Sequence, residues 1–382
     1  MRLLIAGGGT GGHIYPALAV ARSLRARPGA PELGWLGGHR GLEASIVPAA
    51  GIALRRLLLR SLRSTGRDVH VLLDPIRLGL SIPQAFVMLI ARRPAAIFTT
   101  GGYVAIPVLL SAAALRIPSV LWDGNVVPGR SVRFVARLAS VLTVSHAETA
   151  SALGHARAYV TGTPIRPTNT IDVDEARARF GARPGERILL VFGGSQAVRR
   201  INDAVFAALP RLVGRVRVVH VAGEAGYGAA IAARESLAPE LRDRYRPYPF
   251  LHDEMTAALA AADLAVGRAG ASTLAEAAAF ALPTVIVPYP HAAGHQRLNA
   301  EAYARSGAAT LVEDEAFDGD RLVELVGLLA DPARHAAMSA EAREQARPDA
   351  AAAVAELVMA VANRRSRPSE AEIVAIARGP RP

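Results

Sequence analysis

MRLLIAGGGTGGH, residues 1–13, decides the fold. Arg2–Ala6 is a short apolar run that ends in glycines, the pattern of a buried parallel strand. Gly7, Gly9 and Gly12 fit G-x-G-x-x-G between that strand and a helix, which the pattern places from about Pro16 to Arg27 with proline near its first turn. Working outward, Leu33–Leu36, Ala96–Thr99, Ser119–Trp122 and Val141–Val144 read as further strands, with helical stretches between them. This βαβ alternation predicts a parallel sheet covered on both faces.

The pattern then restarts. Ile188–Phe192 is a strand, Gly193-Gly194-Ser195-Gln196 a second glycine loop, and a helix follows from about Arg200. Val216–Ala222, Leu264–Val266 and Thr284–Val287 continue the series. The chain thus reads as α/β, with two doubly wound Rossmann-like domains, residues 1–163 and 164–345, joined in the turn-rich segment Gly162–Pro167. An Ala-rich helical end runs from about Asp331 to Asn363, and residues 346–363 are expected to pack back on the first domain. Residues 364–382, rich in Arg and Pro, are expected to form a frayed tail.

The 382 residues suffice for two domains, and 51% apolar residues suffice for two cores. There is no cysteine, which excludes disulfides, thiol nucleophiles and Cys-type zinc sites. There is no lysine either, which excludes a Walker A site and Schiff-base chemistry. The net charge of +11 comes from Arg, which grips phosphate bidentately; a coding bias towards Arg and Ala gives the same composition. With 5% aromatic residues and scattered Arg, stacking platforms for nucleic acid are scarce, so no nucleic-acid partner is expected. The N-terminus has no signal-type apolar region, and the apolar stretch Leu78–Ala91 contains Pro83 and is too short to span a bilayer. A soluble or peripheral, cytoplasmic protein is expected.

The loops carry the chemistry. A dinucleotide site wants an acidic residue at the end of the second strand, and Leu36-Gly37-Gly38-His39-Arg40 has none. His13 stands at a helix start, where the partial positive charge disfavours imidazolium. It is either a neutral general base or a helix cap. The Gly193–Gln196 loop suits an anion held by backbone N–H groups, with Arg166 and Arg199 as charge partners; a plain tight turn is the alternative. In Arg268–Glu276, Ser272 is the expected N-cap. Glu276 is placed either to accept two ribose hydroxyls or simply to favour the helix dipole. In HAAGHQRLN, residues 291–299, Gln296 and Asn299 can both donate to and accept from sugar hydroxyls. His291 and His295 have i,i+4 spacing but no nearby third ligand for zinc, so no metal site is assigned.

Taken together, the chain resembles the peptidoglycan N-acetylglucosaminyltransferases of the GT-B fold, the MurG family within glycosyltransferase family 28. The shared motifs run in order: GGTGGH at Gly8–His13 with the adjoining YPALAVA, GGYV at Gly101–Val104, GTPIR at Gly162–Arg166, GGSQ at Gly193–Gln196, RAGASTLAE at Arg268–Glu276 and HQRLNA at His295–Ala300. The resemblance implies a donor, UDP-N-acetylglucosamine, in an inter-domain cleft, held mostly by the second domain, and a lipid-linked acceptor, lipid I. Thr10, Gly11 and Gly12 would approach the sugar and phosphate side and Asn125 the sugar. Arg166 and Ser195 would hold the diphosphate, Leu251 would line the uracil pocket, and Ala271, Ser272, Thr273, Leu274, Ala275 and Glu276 would cradle the nucleotide with Glu276 on ribose. Gln296 would read the sugar hydroxyls, and Tyr103 and Asp123 would face the acceptor. His13 is the expected base for inverting transfer, and both glycine loops are expected to neutralise the departing diphosphate, with no obligatory metal or other cofactor.

Two departures stand out. The family commonly has His-Glu-Gln-Asn where this chain has Trp122-Asp123-Gly124-Asn125, and Gly-Ala after GGSQ where this chain has Ala197-Val198. Arg55, Arg56, Arg60, Arg63 and Arg67 around Leu57–Leu59, followed by Leu78–Ile90, suit an anionic membrane surface; solvated Arg beside an ordinary core helix is the other reading. The family setting implies a peripheral enzyme on the cytoplasmic face of the cell membrane, with other cell-wall synthesis proteins as partners. The rivals are a GT-B transferase with a different lipid or small-molecule acceptor, and a UDP-N-acetylglucosamine 2-epimerase.

Overall fold

The computed structural model describes residues 1–39, 41–59, 70–168, 171–193, 199–252, 254–290 and 294–380. Two compact units result, Met1–Ile165 with Arg347–Pro382, and Arg166–Ala346. Unit 1 runs β1 (Arg2–Ala6), α1 (Gly11–Arg25), β2 (Glu32–Gly37), α2 (Glu43–Ala49), β3 (Ala53–Arg56), α3 (His70–Ala91), β4 (Ala96–Thr99), α4 (Gly102–Ala114), β5 (Ser119–Asp123), α5 (Arg130–Val135), β6 (Val141–Val144), α6 (Ala147–Leu153) and β7 (Ala158–Val160). Unit 2 runs α7 (Val173–Arg179), β8 (Ile188–Phe192), α8 (Arg199–Val213), β9 (Arg217–Val221), α9 (Glu224–Glu235), β10 (Tyr245–Tyr248), α10 (Glu254–Ala261), β11 (Leu264–Gly267), α11 (Ala271–Ala279), β12 (Thr284–Ile286), α12 (His295–Arg305), β13 (Ala309–Leu311), α13 (Gly319–Val326) and α14 (Pro332–Gln345). The chain then returns to unit 1 as α15 (Ala350–Ala362) and α16 (Glu370–Arg378).

Both sheets are parallel in every described pairing. Unit 1 has the order β3-β2-β1-β4-β5-β6-β7 and unit 2 the order β10-β9-β8-β11-β12-β13. The central strands are continuous apolar runs because helices cover both of their faces. Ile5, for example, sits opposite Trp35 on β2 and Phe98 on β4, and all three are buried. The strand order reverses between β1 and β4 in unit 1, and between β8 and β11 in unit 2. At such switch points, loops at the carboxyl ends of the strands diverge and leave a crevice.

Several sequence expectations need correction. Helix α1 begins at Gly11 rather than near Pro16, so Pro16 lies inside it and deprives the Gly12 carbonyl of its i+4 donor. The helix expected from Asp331 to Asn363 is two helices. Pro348 cannot donate and forces the residue before it out of the helical region, and α14 ends at Gln345 with Ala346 already extended. The expected frayed tail contains α16. Ser369 and Glu372 cap it reciprocally, Ile373 and Ala377 are fully buried in the unit 1 core, and the Tyr159 hydroxyl donates to the Pro368 carbonyl at 3.2 Å.

Helix α3 is also longer than the apolar run suggested. Leu73–Ala91 is long and apolar enough, by length and composition, to cross a membrane, with 22% of it buried. Its faces differ: Ser81, Ala85 and Leu89 are buried with α4, whereas Ile76, Leu80, Val87 and Ile90 are exposed. In the neighbouring segment Leu57 and Leu59 are core residues and Leu58 is exposed, while Arg60, Arg63 and Arg67 lie outside the described residues.

Candidate functional site

In unit 1 the sequence-predicted residues gather at the carboxyl ends of β1, β4 and β5. Thr10 is the N-cap of α1 in an extended conformation, and its hydroxyl makes no capping bond. Gly11, Gly12 and His13 form the first turn, with the amide ends of the helix around them. The His13 Nδ1 lies 2.7 Å from the main-chain oxygen of Thr100, and the Thr100 hydroxyl donates to the His13 oxygen at 2.9 Å. This pair ties the first turn of α1 to the residue that follows β4, at the switch point. Gly101 and Gly102 follow, at φ of +80° and +72°, where side chains are strained. A Cβ at Gly102 would stand 3.5 Å from the His13 Nε2, so the second glycine also gives the imidazole room.

Asp123 ends β5 and is buried, and its Oδ1 accepts from both the backbone N–H (2.9 Å) and the side-chain amide (3.1 Å) of Asn125. Burial pushes the Asp123 carboxyl above the usual range, against the pull of the Asn125 bonds and the nearby charge of His13. His13 and Asp123 therefore share one electrostatic neighbourhood. Tyr103 opens α4, but its hydroxyl lies 3.4 Å from the Oε1 of Glu43. Burial beside Glu43 pushes its pKa well up.

In unit 2 the predicted residues follow β10, β8, β11 and β12. Arg166 donates to the His252 carbonyl at 2.6 Å and to the Glu276 Oε1 at 3.4 Å, tying the loop after β10 to α11. Burial pushes the Glu276 carboxyl up, partly offset by that guanidinium. Ala271, Ser272, Thr273, Leu274 and Ala275 form the start of α11, and the N-cap is Gly270, not Ser272. Ser272 instead lies within the first turn, its Oγ buried and without a partner among the described residues. Leu251 is buried in the core beneath the loop after β10. Gln296 lies in the first turn of α12, and its carboxamide oxygen accepts from the Tyr289 N–H at 3.0 Å. Ser195 and His291 lie outside the described residues.

Two residues escaped the sequence reading. Arg268, at the end of β11, is buried. It donates to the Val287 carbonyl at 3.0 Å, pairs with Asp314 and stacks over the Tyr289 ring with its guanidinium 5.5 Å from the centroid. It thereby locks the loops after β11 and β12 together; its place in the RAGASTLAE motif was the available signal. Glu43 is the other. It is fully buried and accepts from the Gly9 and Gly38 N–H groups, each at 2.9 Å. Nothing in its sequence context marks it.

Two Rossmann-like units, each with its polar residues at a switch point, belong to the GT-B class of sugar transferases. The glycosyltransferase family 28 N-terminal domain matches residues 3–143, and the family 28 C-terminal domain matches residues 188–354. A UDP-N-acetylglucosamine--N-acetylmuramyl-(pentapeptide) pyrophosphoryl-undecaprenol N-acetylglucosamine transferase of Moorella thermoacetica is 40% identical over 372 residues, covering 94% of this chain and 98% of the relative. The enzyme of the same name from Chlorobium phaeobacteroides is 36% identical, covering 95% of this chain and 100% of the relative. The crystal structure of MurG from Acinetobacter baumannii matches with a TM-score of 0.73 at 26% identity, covering 94% and 99% of the two chains. The chain belongs to glycosyltransferase family 28, among these N-acetylglucosaminyltransferases.

Proposed function

We infer that this chain transfers N-acetylglucosamine from UDP-N-acetylglucosamine to the 4-hydroxyl of the muramoyl sugar of lipid I, with inversion, and so makes lipid II. The observation that carries the reading is the 40% identity, over nearly the full length of both chains, to a relative whose name states that reaction.

In this reading the muramoyl oxygen attacks the anomeric carbon as the bond from that carbon to the diphosphate oxygen breaks. The Nε2 of His13 takes the hydroxyl proton. The Thr100 carbonyl can only accept, so the proton of a neutral His13 sits on Nδ1 and the lone pair on Nε2. The nearby Asp123 carboxyl offsets the positive charge the imidazole then acquires. Thr10, Gly11 and Gly12 approach the sugar and phosphate side and Asn125 the sugar. Arg166 and backbone amides after β8, with Ser195, hold the leaving UDP; no metal is assigned to that task. Glu276 accepts the ribose hydroxyls, Leu251 borders the base and Gln296 reads the sugar.

The membrane face in this reading is α3. Its exposed Ile76, Leu80, Val87 and Ile90 form an apolar strip, and Arg92 and Arg93 follow directly. Apolar insertion beside Arg suits an anionic leaflet on the cytoplasmic side, where the enzyme would bind peripherally, near other cell-wall synthesis proteins. Co-sedimentation with vesicles of graded anionic lipid content tests this. Binding should rise with that content and fall in Leu80→Glu; indifference to both would remove the strip from membrane attachment.

Turnover of UDP-N-acetylglucosamine with a lipid I analogue, with and without chelator, tests the reaction. Lipid II formation that survives chelation is expected. Release of a free sugar epimer without acceptor, or transfer to diacylglycerol in preference to lipid I, would overturn the assignment.

A further inference from the structure

Glu43, the first residue of α2, lies in the floor of unit 1. A glutamate is seldom fully buried unless its oxygens are bonded. Its Oε2 accepts the Gly9 N–H and its Oε1 the Gly38 N–H, and the Tyr103 hydroxyl lies 3.4 Å from Oε1. These donors come from three separate segments: the loop after β1, the loop after β2 and the first turn of α4. The surrounding glycines leave space for the carboxyl group. A Cβ at Gly8 or Gly41 would overlap it, and one at Gly37 would stand 2.9 Å from the Glu43 Cγ.

In a phosphate-binding glycine loop, amides such as that of Gly9 grip an oxygen of the ligand. Here the protein's own carboxyl group takes that amide. The first glycine loop was expected to share in neutralising the diphosphate, but its Gly9 N–H is already engaged. Gly9 itself sits at φ +93°, a conformation this bond helps to hold. Four residues further on is His13.

We propose that Glu43 is a positioning residue: its buried carboxyl group takes the Gly9 amide, ties the first glycine loop to the loop after β2 and fixes the start of α1, and with it the orientation of the His13 imidazole. This inference rests on the proposed role of His13. Glu43 touches no substrate. Its effect on the reaction passes through the loop, where a misplacement of about 1 Å can cost roughly a hundredfold in rate.

The test uses Glu43→Gln and Gly41→Ala in the full chain. A glutamine keeps the volume but has one acceptor oxygen, so one of the two glycine amides faces an NH₂ group. Gly41→Ala leaves Glu43 and the loop chemically intact but occupies the space of the carboxyl group. Both variants are expected to lower kcat at least tenfold, with a smaller rise in donor KM, while UDP affinity, assigned to residues of unit 2, stays within twofold of the parent. The imidazole ¹⁵N shifts of His13, which report its tautomer, are expected to move from the Nδ1–H form towards a mixture. Because these shifts need no turnover, a parent unable to transfer sugar would count against the functional reading and leave this test standing. Unaltered ¹⁵N shifts and kcat in a folded variant would overturn the proposal. So would a loss of activity that merely follows the unfolded fraction, with kcat per folded molecule unchanged. Should Glu43→Gln fail to fold, Gly41→Ala and Glu43→Asp, one methylene shorter, give the same readouts.

Discussion

His13 and Thr100 hold each other by two reciprocal hydrogen bonds across the switch point of unit 1, Nδ1–H to the main-chain oxygen at 2.7 Å and hydroxyl to the main-chain oxygen at 2.9 Å. The first bond selects the tautomer, and the second ties the residue that supplies the acceptor to the helix that supplies the ring. An imidazole oriented by a main-chain atom cannot lose its partner through a side-chain change at Thr100. His13→Ala is expected to lower kcat by about 10²- to 10⁴-fold with near-normal UDP affinity. Thr100→Val, which removes only the second bond, should cost about tenfold or less. Steady-state kinetics and UDP titration check both, and unchanged turnover in His13→Ala would remove the imidazole from the mechanism.

Glu276 and Arg166 predict a pH dependence of donor binding. Burial raises the Glu276 carboxyl, and in the proposed role only its ionised form would accept two ribose hydroxyls. Donor KM should therefore rise as the pH falls through that raised value. In Glu276→Gln, KM should be higher and level over the same range. Arg166→Ala removes the cation that opposes the upward shift of the carboxyl, so the rise in KM should begin at a higher pH. A KM that ignores pH in the parent would argue against Glu276 as the ribose acceptor.

A buried network in unit 2 predicts acid sensitivity. Asn202 donates its NH₂ to the Ala222 carbonyl at 2.8 Å, so its oxygen accepts from the His220 Nε2–H at 3.0 Å, and the Tyr245 hydroxyl donates to Nδ1 at 2.8 Å. Burial pushes His220 down to about 3. The unfolded chain takes up a proton near pH 6.5 and the folded chain does not. Stability is thus full above about pH 6.5 and falls by about 1.4 kcal/mol per pH unit below it, until the folded group titrates near 3. Hydrogen exchange of the β8 and β9 amides at pH 7 and pH 5.5 should show that slope. His220→Phe should be less stable at pH 7, because it strands two polar partners, and flatter in pH.

Helix α16 predicts a stability effect confined to unit 1. Ile373→Ala removes a fully buried side chain and should cost about 2–5 kcal/mol; Ser369→Ala removes the cap and should cost about 1 kcal/mol. Exchange protection in α1 and α15 should fall while that in unit 2 holds. Equal protection before and after Ile373→Ala would mean that the segment is a dispensable tail.

The central strands were legible in the sequence because burial on both faces makes them continuous apolar runs. The strands that escaped are β3, β7, β10 and β13, which are the edges of the two sheets. Each has three or four residues and is mostly half-exposed, so it offers no run to read. The first glycine loop was legible because its glycines follow a readable apolar strand, whereas most of the second glycine loop lies outside the described residues. Glu43 was not, because its partners are main-chain groups brought together only by the fold. Helix α16 was obscured by flanking Arg and Pro, although Ile373 and Ala377 repeat with helical spacing.

Unit 2 is one uninterrupted stretch, whereas unit 1 needs residues 347–382 to cover α1 and the sheet behind it; the Arg27–Glu356 pair, at 2.5 Å, closes a span of 329 residues. During translation unit 2 can therefore finish folding while the earlier-made half still shows a bare apolar surface. A ribosome that stalls before that last segment emerges would release a chain whose second half is native and whose first half is a client for chaperones.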